Sequence, residues 1–357
     1  MSSEFTLAAV GDVVLTRSWT RDEDTDPRFL EVVELLGGAD LAFANLESAV
    51  SRTGYSRDKM VTLRSDPELA DDLKRMHFDV FSVANNHTLD YGEDSLVSML
   101  DTLAATGLHA VGAGRDLEGA LTPAVVESNG ARVAFFAASC LLPLGSAAGP
   151  ARPGLAPLRI RTSFEIDAYM EMEEPGHAPA VHTVPDEADL AALCARIAEV
   201  RDSVDFVAVS VHMGFGVGEE VAEYQRPLAH ALIDAGADVV LGNHAHVIQG
   251  IETYRGKAIL YSPSNFVAQQ PREGQPPAVL DLYAKMSTDA YLAFLDVAAD
   301  GGYRMRIVPT VANDNGLPVA ATGADFDRIA ARLVRLSAPL ETSVVVDGSD
   351  ITLEFGR

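Results

Sequence analysis

The chain has little of what usually announces how a protein is held together. Across 357 residues there are two cysteines, Cys140 and Cys194. Cys140 ends an apolar run and Cys194 lies in an amphipathic stretch, so two buried free thiols are expected and no disulfide or thiolate metal site. Lysine occurs four times, at Lys59, Lys74, Lys257 and Lys285, while arginine and alanine are plentiful. That bias reads as a GC-rich bacterial genome. Positive charge is short altogether: 27 Lys and Arg face 52 Asp and Glu, a formal charge of −25. Such a field repels phosphate backbones and anionic lipid, so neither a nucleic-acid nor a membrane partner is expected. No apolar run approaches the ~18 residues of a membrane span. Residues 1–4 show no basic region, apolar stretch or cleavage site of a leader, and the expectation is a cytoplasmic protein.

What is present is globular: 48% hydrophobic and 22% charged residues, enough to bury a large core. Short apolar strands alternate with amphipathic helices. Strands are read at residues 5–10, 41–44, 80–83, 206–211, 239–241 and 258–261, with a hairpin around Asn129-Gly130. Helices are read at 27–36, with Pro27 in the first turn and Gly37-Gly38 after it, at 67–76 behind a Ser65 cap, and at 93–106, 187–201, 226–235 and 326–336. The class is α/β: two sheets packed together and covered by helices, in a single domain spanning 1–357. Residues 141–185 stand out. They are rich in Pro, Gly and Ala, then acidic, and lack periodicity, which marks them as a lid or substrate insert.

Polar motifs follow the strands: Gly11-Asp12, Asn45-Leu46-Glu47, Asn85-Asn86-His87, His212 and His244-Ala245-His246. Strand ends are where open α/β sheets form crevices. Imidazole and oxygen donors in this mixture suit a divalent ion such as Mn, Zn, Fe or Ca. In His-x-His after a strand, alternation would aim both rings into one cavity.

The order of these motifs resembles the calcineurin-like metallophosphatase superfamily, and more closely the CapA family of poly-γ-glutamate capsule proteins. The likeness runs over residues 5–267, and Ala84-Asn85-Asn86-His87-Thr88-Leu89-Asp90-Tyr91-Gly92 is its most diagnostic run. It implies a four-layer αββα sandwich of two mixed sheets flanked by helices. It makes Asp12, Glu47, Asn86, His212, His244 and His246 the metal ligands, and His87 the proton donor beside them. Asp90 either orients His87 or caps the following helix. Arg64 forks onto a substrate carboxylate or pairs with Asp66 or Glu68. Trp19 lines the pocket or packs at its rim. Asn265 belongs to the family's Tyr-Ser-x-x-Asn-Phe element, in which Ser264 replaces a usual glycine, so a different backbone is expected there. Val14 stands where the superfamily has a metal-binding histidine, and Glu47 where it has the bridging aspartate. One ion, or one tight and one weak site, is expected per chain.

Three activities fit this reading. The first is hydrolysis of γ-glutamyl polymers or phosphoesters by metal-activated water. The second is epimerisation at a Cα of a ribosomally made, lasso-type precursor peptide, with acid and base drawn from Asp12, His87 and His246. The third is a non-catalytic scaffold in an assembly complex. The absence of a leader, the reduced ligand set and the long insert favour the second, with a peptide as partner.

Overall fold

In the computed structural model, residues 4–22 and 25–355 are described. Residues 1–3, part of the stretch read as lacking a leader, lie outside them. Two mixed sheets dominate. The larger has 10 strands, and its central path places Asp289–Val297, Phe5–Val14, Leu41–Leu46, Val80–Ser82 and His109–Val111 side by side. From Phe5–Val14 to His109–Val111 the strands are parallel. The smaller has six strands, with Ala131–Ser139, Phe206–His212, Val239–Asn243 and Lys257–Leu260 parallel at its centre.

The sheets pack face to face through one apolar core. Phe43 of one lies parallel to Phe135 of the other, ring centres 5.9 Å apart. Phe5 meets Phe206 edge-on at 5.7 Å. The outer face of the larger sheet buries Phe29, Val32, Val33 and Leu36 of helix Pro27–Gly37, an i, i+3, i+4, i+7 stripe. The outer face of the smaller sheet buries Leu193 and Ile197 of helix Glu187–Arg201 and Leu228 and Leu232 of helix Gln225–Asp234. The result is the expected four-layer αββα sandwich.

Several local expectations are corrected. Ser65 does not cap helix Leu69–Arg75; it is buried, and its hydroxyl donates to the Leu15 carbonyl. Residues 141–185 are not shapeless. Ala148, Ala156 and Leu158 are buried against the smaller sheet and Leu155 in the cluster of the larger, and Ile160–Glu165 pairs with Ala180–Pro185 as an antiparallel ribbon. Helix Pro277–Lys285, unforeseen, follows a Pro-rich loop. Both cysteines are free and only half-buried. Among the described residues, no helix is long and apolar enough to cross a membrane.

Candidate metal centre

Strand register brings the polar motifs to one level. Asp12 is paired with Asn45 on one side and Asn265 on the other, and Asn45 with Ser82. In the other sheet His212 is paired with Asn243. The strand bulges around Gly11-Asp12, where the Asp12 amide donates to the Ser264 carbonyl at 3.0 Å. A Cβ on Gly11 would stand 1.9 Å from that carbonyl oxygen, so only glycine permits this approach. Ser264 itself has a left-handed backbone, φ 74°, a region that favours glycine.

The two halves of the cluster face each other across the seam between the sheets. Asp12, Glu47 and His212 are fully buried. Asn45 holds Asp12 through its amide at 2.8 Å, and the His244 amide donates to the second Asp12 oxygen at 3.2 Å. His246 Nδ1 lies 2.8 Å from Asn265 Oδ1 and 3.4 Å from Asp12 Oδ2. His212 Nε2 lies 2.8 Å from Asn86 Oδ1 and 3.5 Å from Glu47 Oε1, which is 3.8 Å from His246 Nε2. Two overlapping donor sets result, Asp12–Glu47–His246 and Glu47–His212–His244, each with ligand atoms within 4.8 Å of one another. All six residues read as ligands are thus brought together.

The His-x-His pair converges by a route the sequence reading did not anticipate. His244 and His246 have φ of 94° and 53°, in a loop beyond strand Val239–Asn243, so positive-φ turns and not strand alternation aim the rings. Positive φ is costly for residues with a Cβ and is typical of sites where geometry serves chemistry.

The residues fit a cation. Neither oxygen of the buried Glu47 carboxylate has a hydrogen-bond donor, and His244 Nδ1 is likewise unpartnered. Burying a bare carboxylate costs several kcal/mol, order of magnitude, unless a charge compensates it. Three imidazoles and two carboxylates form a donor set for a borderline divalent ion.

Beside the cluster, His87 Nδ1 lies 2.7 Å from Asp90 Oδ2. Asp90 also accepts from the Leu63 amide at 2.7 Å and from the Lys59 ammonium, and Lys59 donates to the Asn86 carbonyl at 2.6 Å. The following helix has Gly92 at its cap and no side-chain bond there, so Asp90 faces His87 and not the helix. A cavity of about 270 Å³ opens onto Glu47, Lys59, Asn86, His87, His244 and His246. Apolar residues complete its lining: Val14, Met60, Val61, Leu63, Leu282 and Met286.

No residue of 141–185 lines this cavity; residues 59–63 and 282–286 supply the wall expected from the insert. Trp19 is also absent from it. Its indole packs edge-on against Phe29 at 5.3 Å and donates to the Asp72 carbonyl. Arg64 makes no pair with Asp66 or Glu68, which Arg52 takes instead. Asn45, Asn85 and Lys59 were missed as site residues. Asn85 donates to Asn45 Oδ1 and to the Leu46 carbonyl, fixing the two motifs together. A lysine in a chain with so few was a usable signal.

Crowding sets the acid–base balance of the metal-free protein. Burial, then the Asp12 charge, raises Glu47 well above the ordinary carboxylate value. Burial alone would lower His246, but the Glu47 and Asp12 carboxylates outweigh it and raise it to about 9. Burial, then the neighbouring imidazoles, lowers His212 well below the ordinary histidine value and His244 to about 3. Burial also lowers His87, against the pull of Asp90. Between the ordinary histidine value of 6.5 and about 9, the folded metal-free chain therefore holds more protons at His246 than the unfolded chain, with Glu47 shifted in the same sense. Its stability should fall as pH rises through that window. A cation needs the same groups deprotonated, so its affinity should rise there. In melting curves with and without Mn²⁺ or Zn²⁺, the metal-induced gain in Tm is expected to grow with pH. A gain that shrinks would contradict this assignment.

The chain is similar to known proteins. Residues 6–270 match the family model described as bacterial capsule synthesis protein. The chain is 29% identical over 338 residues to an uncharacterized protein of Sinorhizobium fredii, covering 80% of this chain and 71% of that one. It is 30% identical over 267 residues to the PGA biosynthesis protein CapA of Bacillus subtilis, covering 73% of this chain and 62% of the relative. A probable polyglutamine synthesis accessory protein of Mycobacterium tuberculosis is 32% identical over 233 residues, covering 64% of this chain and 55% of its own. Among solved structures, a hypothetical protein from Thermus thermophilus aligns over 88% of this chain and 96% of its own, at 19% identity and a TM-score of 0.42.

Proposed function

The chain belongs to the bacterial capsule synthesis protein family, the CapA type, and from that premise we propose that it is a cytoplasmic, metal-dependent enzyme that inverts a Cα centre of a peptide. The observation that carries the metal dependence is Glu47, buried with both oxygens unpartnered among His212, His244 and His246. Asp12, Glu47, Asn86, His212, His244 and His246 would hold the ion. Once bound, a divalent cation supplies positive charge and Lewis acidity beside the carbonyl adjoining the Cα.

The chain's own groups move the proton. His87, with Nδ1–H engaged by Asp90, presents Nε2 as the base toward the cavity it lines. It takes the Cα proton from one face, and the electron pair of the broken C–H bond passes into the adjoining carbonyl. A proton delivered from the opposite side, by a group outside the ion's ligand set, then forms the new C–H bond as that pair returns. Solvent restores both groups, and nothing is oxidised or reduced. The apolar wall excludes water, which strengthens each charge interaction within. Val14, lining the cavity in place of a ligand histidine, supports one ion over a matched pair and weighs against two-metal water activation.

A second reading is hydrolysis of a γ-glutamyl amide. It is favoured by the names of relatives tied to PGA and polyglutamine synthesis. Incubation of the ion-loaded protein with peptides in D₂O separates the two. A one-dalton gain without chain cleavage is expected for Cα exchange. Shorter fragments without deuterium at Cα would establish hydrolysis instead.

A further inference from the structure

A second cavity, about 640 Å³, adjoins the first and shares Gln270, Tyr283 and Met286 with it. Arg17, Arg64 and Arg272 line it. In a chain where acids outnumber bases about two to one, most arginines have a carboxylate partner, as Arg52, Arg226 and Arg328 do. These three have none among the described residues. Two are nevertheless anchored. The Arg64 guanidinium lies 3.5 Å from the centre of the Tyr91 ring and donates to the Thr53 carbonyl at 2.5 Å, and its buried Nε has no partner. Arg17 donates to the Asn315 carbonyl at 3.1 Å.

Asn265 adds an independent observation. It is 3% exposed and lines the same cavity. Its Oδ1 faces His246 Nδ1, which leaves its Nδ2–H donors buried with no acceptor. A buried donor without an acceptor is costly, so an acceptor from a ligand is the natural complement. Glu273 and Asp314 also line the cavity, but both are exposed, whereas Arg64 and Asn265 lie deeper.

We propose that this cavity is a subsite for a carboxylate of the substrate, held by the fork of Arg64 with Arg17 and Arg272 and by the Asn265 amide, one step from the metal cluster. Two anchored guanidiniums, a third from the exposed Arg272 and an orphaned donor favour an anion, and the planar guanidinium matches a carboxylate in two-point contact. The proposal rests on the metal-centre reading above. It adds that the substrate presents a carboxylate close to the reacting Cα, from either a chain terminus or an acidic side chain.

The test is calorimetric titration of ion-loaded, full-length protein with matched probes. Acetyl-Ala-Ala-Ala-Phe as free acid is compared with its C-terminal amide, and acetyl-Ala-Ala-Glu-amide with acetyl-Ala-Ala-Gln-amide. At least one acid is expected to bind about tenfold or more tighter than its neutral twin, the scale of one charged hydrogen-bonded contact. The pair showing the preference identifies terminus or side chain. Arg64→Ala should remove most of that preference. Arg64→Gln, which keeps a polar side chain over Tyr91, serves if the alanine variant folds poorly, and Arg64→Lys should restore only part. Equal binding within both pairs, no binding of either acid, or an undiminished preference in an Arg17→Ala/Arg64→Ala/Arg272→Ala protein would overturn the subsite. Elemental analysis of the same samples separates the two ideas. If the ion is retained while the acid preference is absent, the subsite falls and the metal centre stands; wild-type protein that takes up no ion removes both.

Discussion

Glu47→Gln is expected to strip the protein of its ion and of its activity while making the metal-free protein more stable. The residue is fully buried and neither oxygen has a donor. The nearest groups that could offset its charge are imidazoles 3.5 and 3.8 Å away, His212 and His246, and His212 is held neutral by burial. Because its value is raised in the fold even with the His246 imidazolium beside it, the ionised form of Glu47 destabilises the metal-free chain, and a neutral isostere removes that penalty. The gain should widen as pH rises, because the wild-type carboxyl, held above its ordinary value, ionises while His246, its near cation, loses its proton. With the ion present the order reverses: wild type gains from binding and the variant does not. Elemental analysis together with Tm of the metal-free and metal-loaded forms reads both halves. A variant that binds as much ion as wild type would remove Glu47 from the centre.

His87→Asn should do the opposite. It leaves all six ligands in place, so ion content is expected to stay at the wild-type level. Proton exchange at Cα should fall about a hundred- to ten-thousandfold, the usual contribution of a positioned acid or base. Asp90 would lose the ring it orients but keep the Leu63 amide and Lys59. Loss of deuterium uptake with the metal content unchanged assigns His87 to chemistry and not to binding. Full uptake in the variant would transfer the role to another group.

The architecture was legible because burial leaves a plain record. Phe5–Val14 and Phe206–His212 are apolar runs that carry a ligand residue at or near their ends, and the parallel sheet of a covered sandwich demands that pattern. Helix Pro27–Gly37 was readable from its stripe and its proline. The ribbon formed by Ile160–Glu165 and Ala180–Pro185 was not, because it is largely exposed and no alternation marks an inner face. The ligand set could be read from motif order, yet its geometry could not. Nothing in His244-Ala245-His246 reveals that both histidines adopt positive φ. Trp19 was drawn toward the site by its nearness to Asp12 in sequence, but the Phe29 face offered the indole a better-packed surface. Lys59 lies in a loop with no regular spacing, so only three-dimensional proximity shows what it holds.

The position of the cluster on the seam has a mechanical consequence. Asp12, Glu47 and Asn86 come from the larger sheet and the loops that follow its strands; His212, His244 and His246 come from the smaller. An ion held by both sets would be a clasp between two slabs that otherwise adhere chiefly through greasy contact. Loosening the clasp and parting the slabs at that edge would then be one event, and the rate at which the ion leaves would report how often the sandwich gapes.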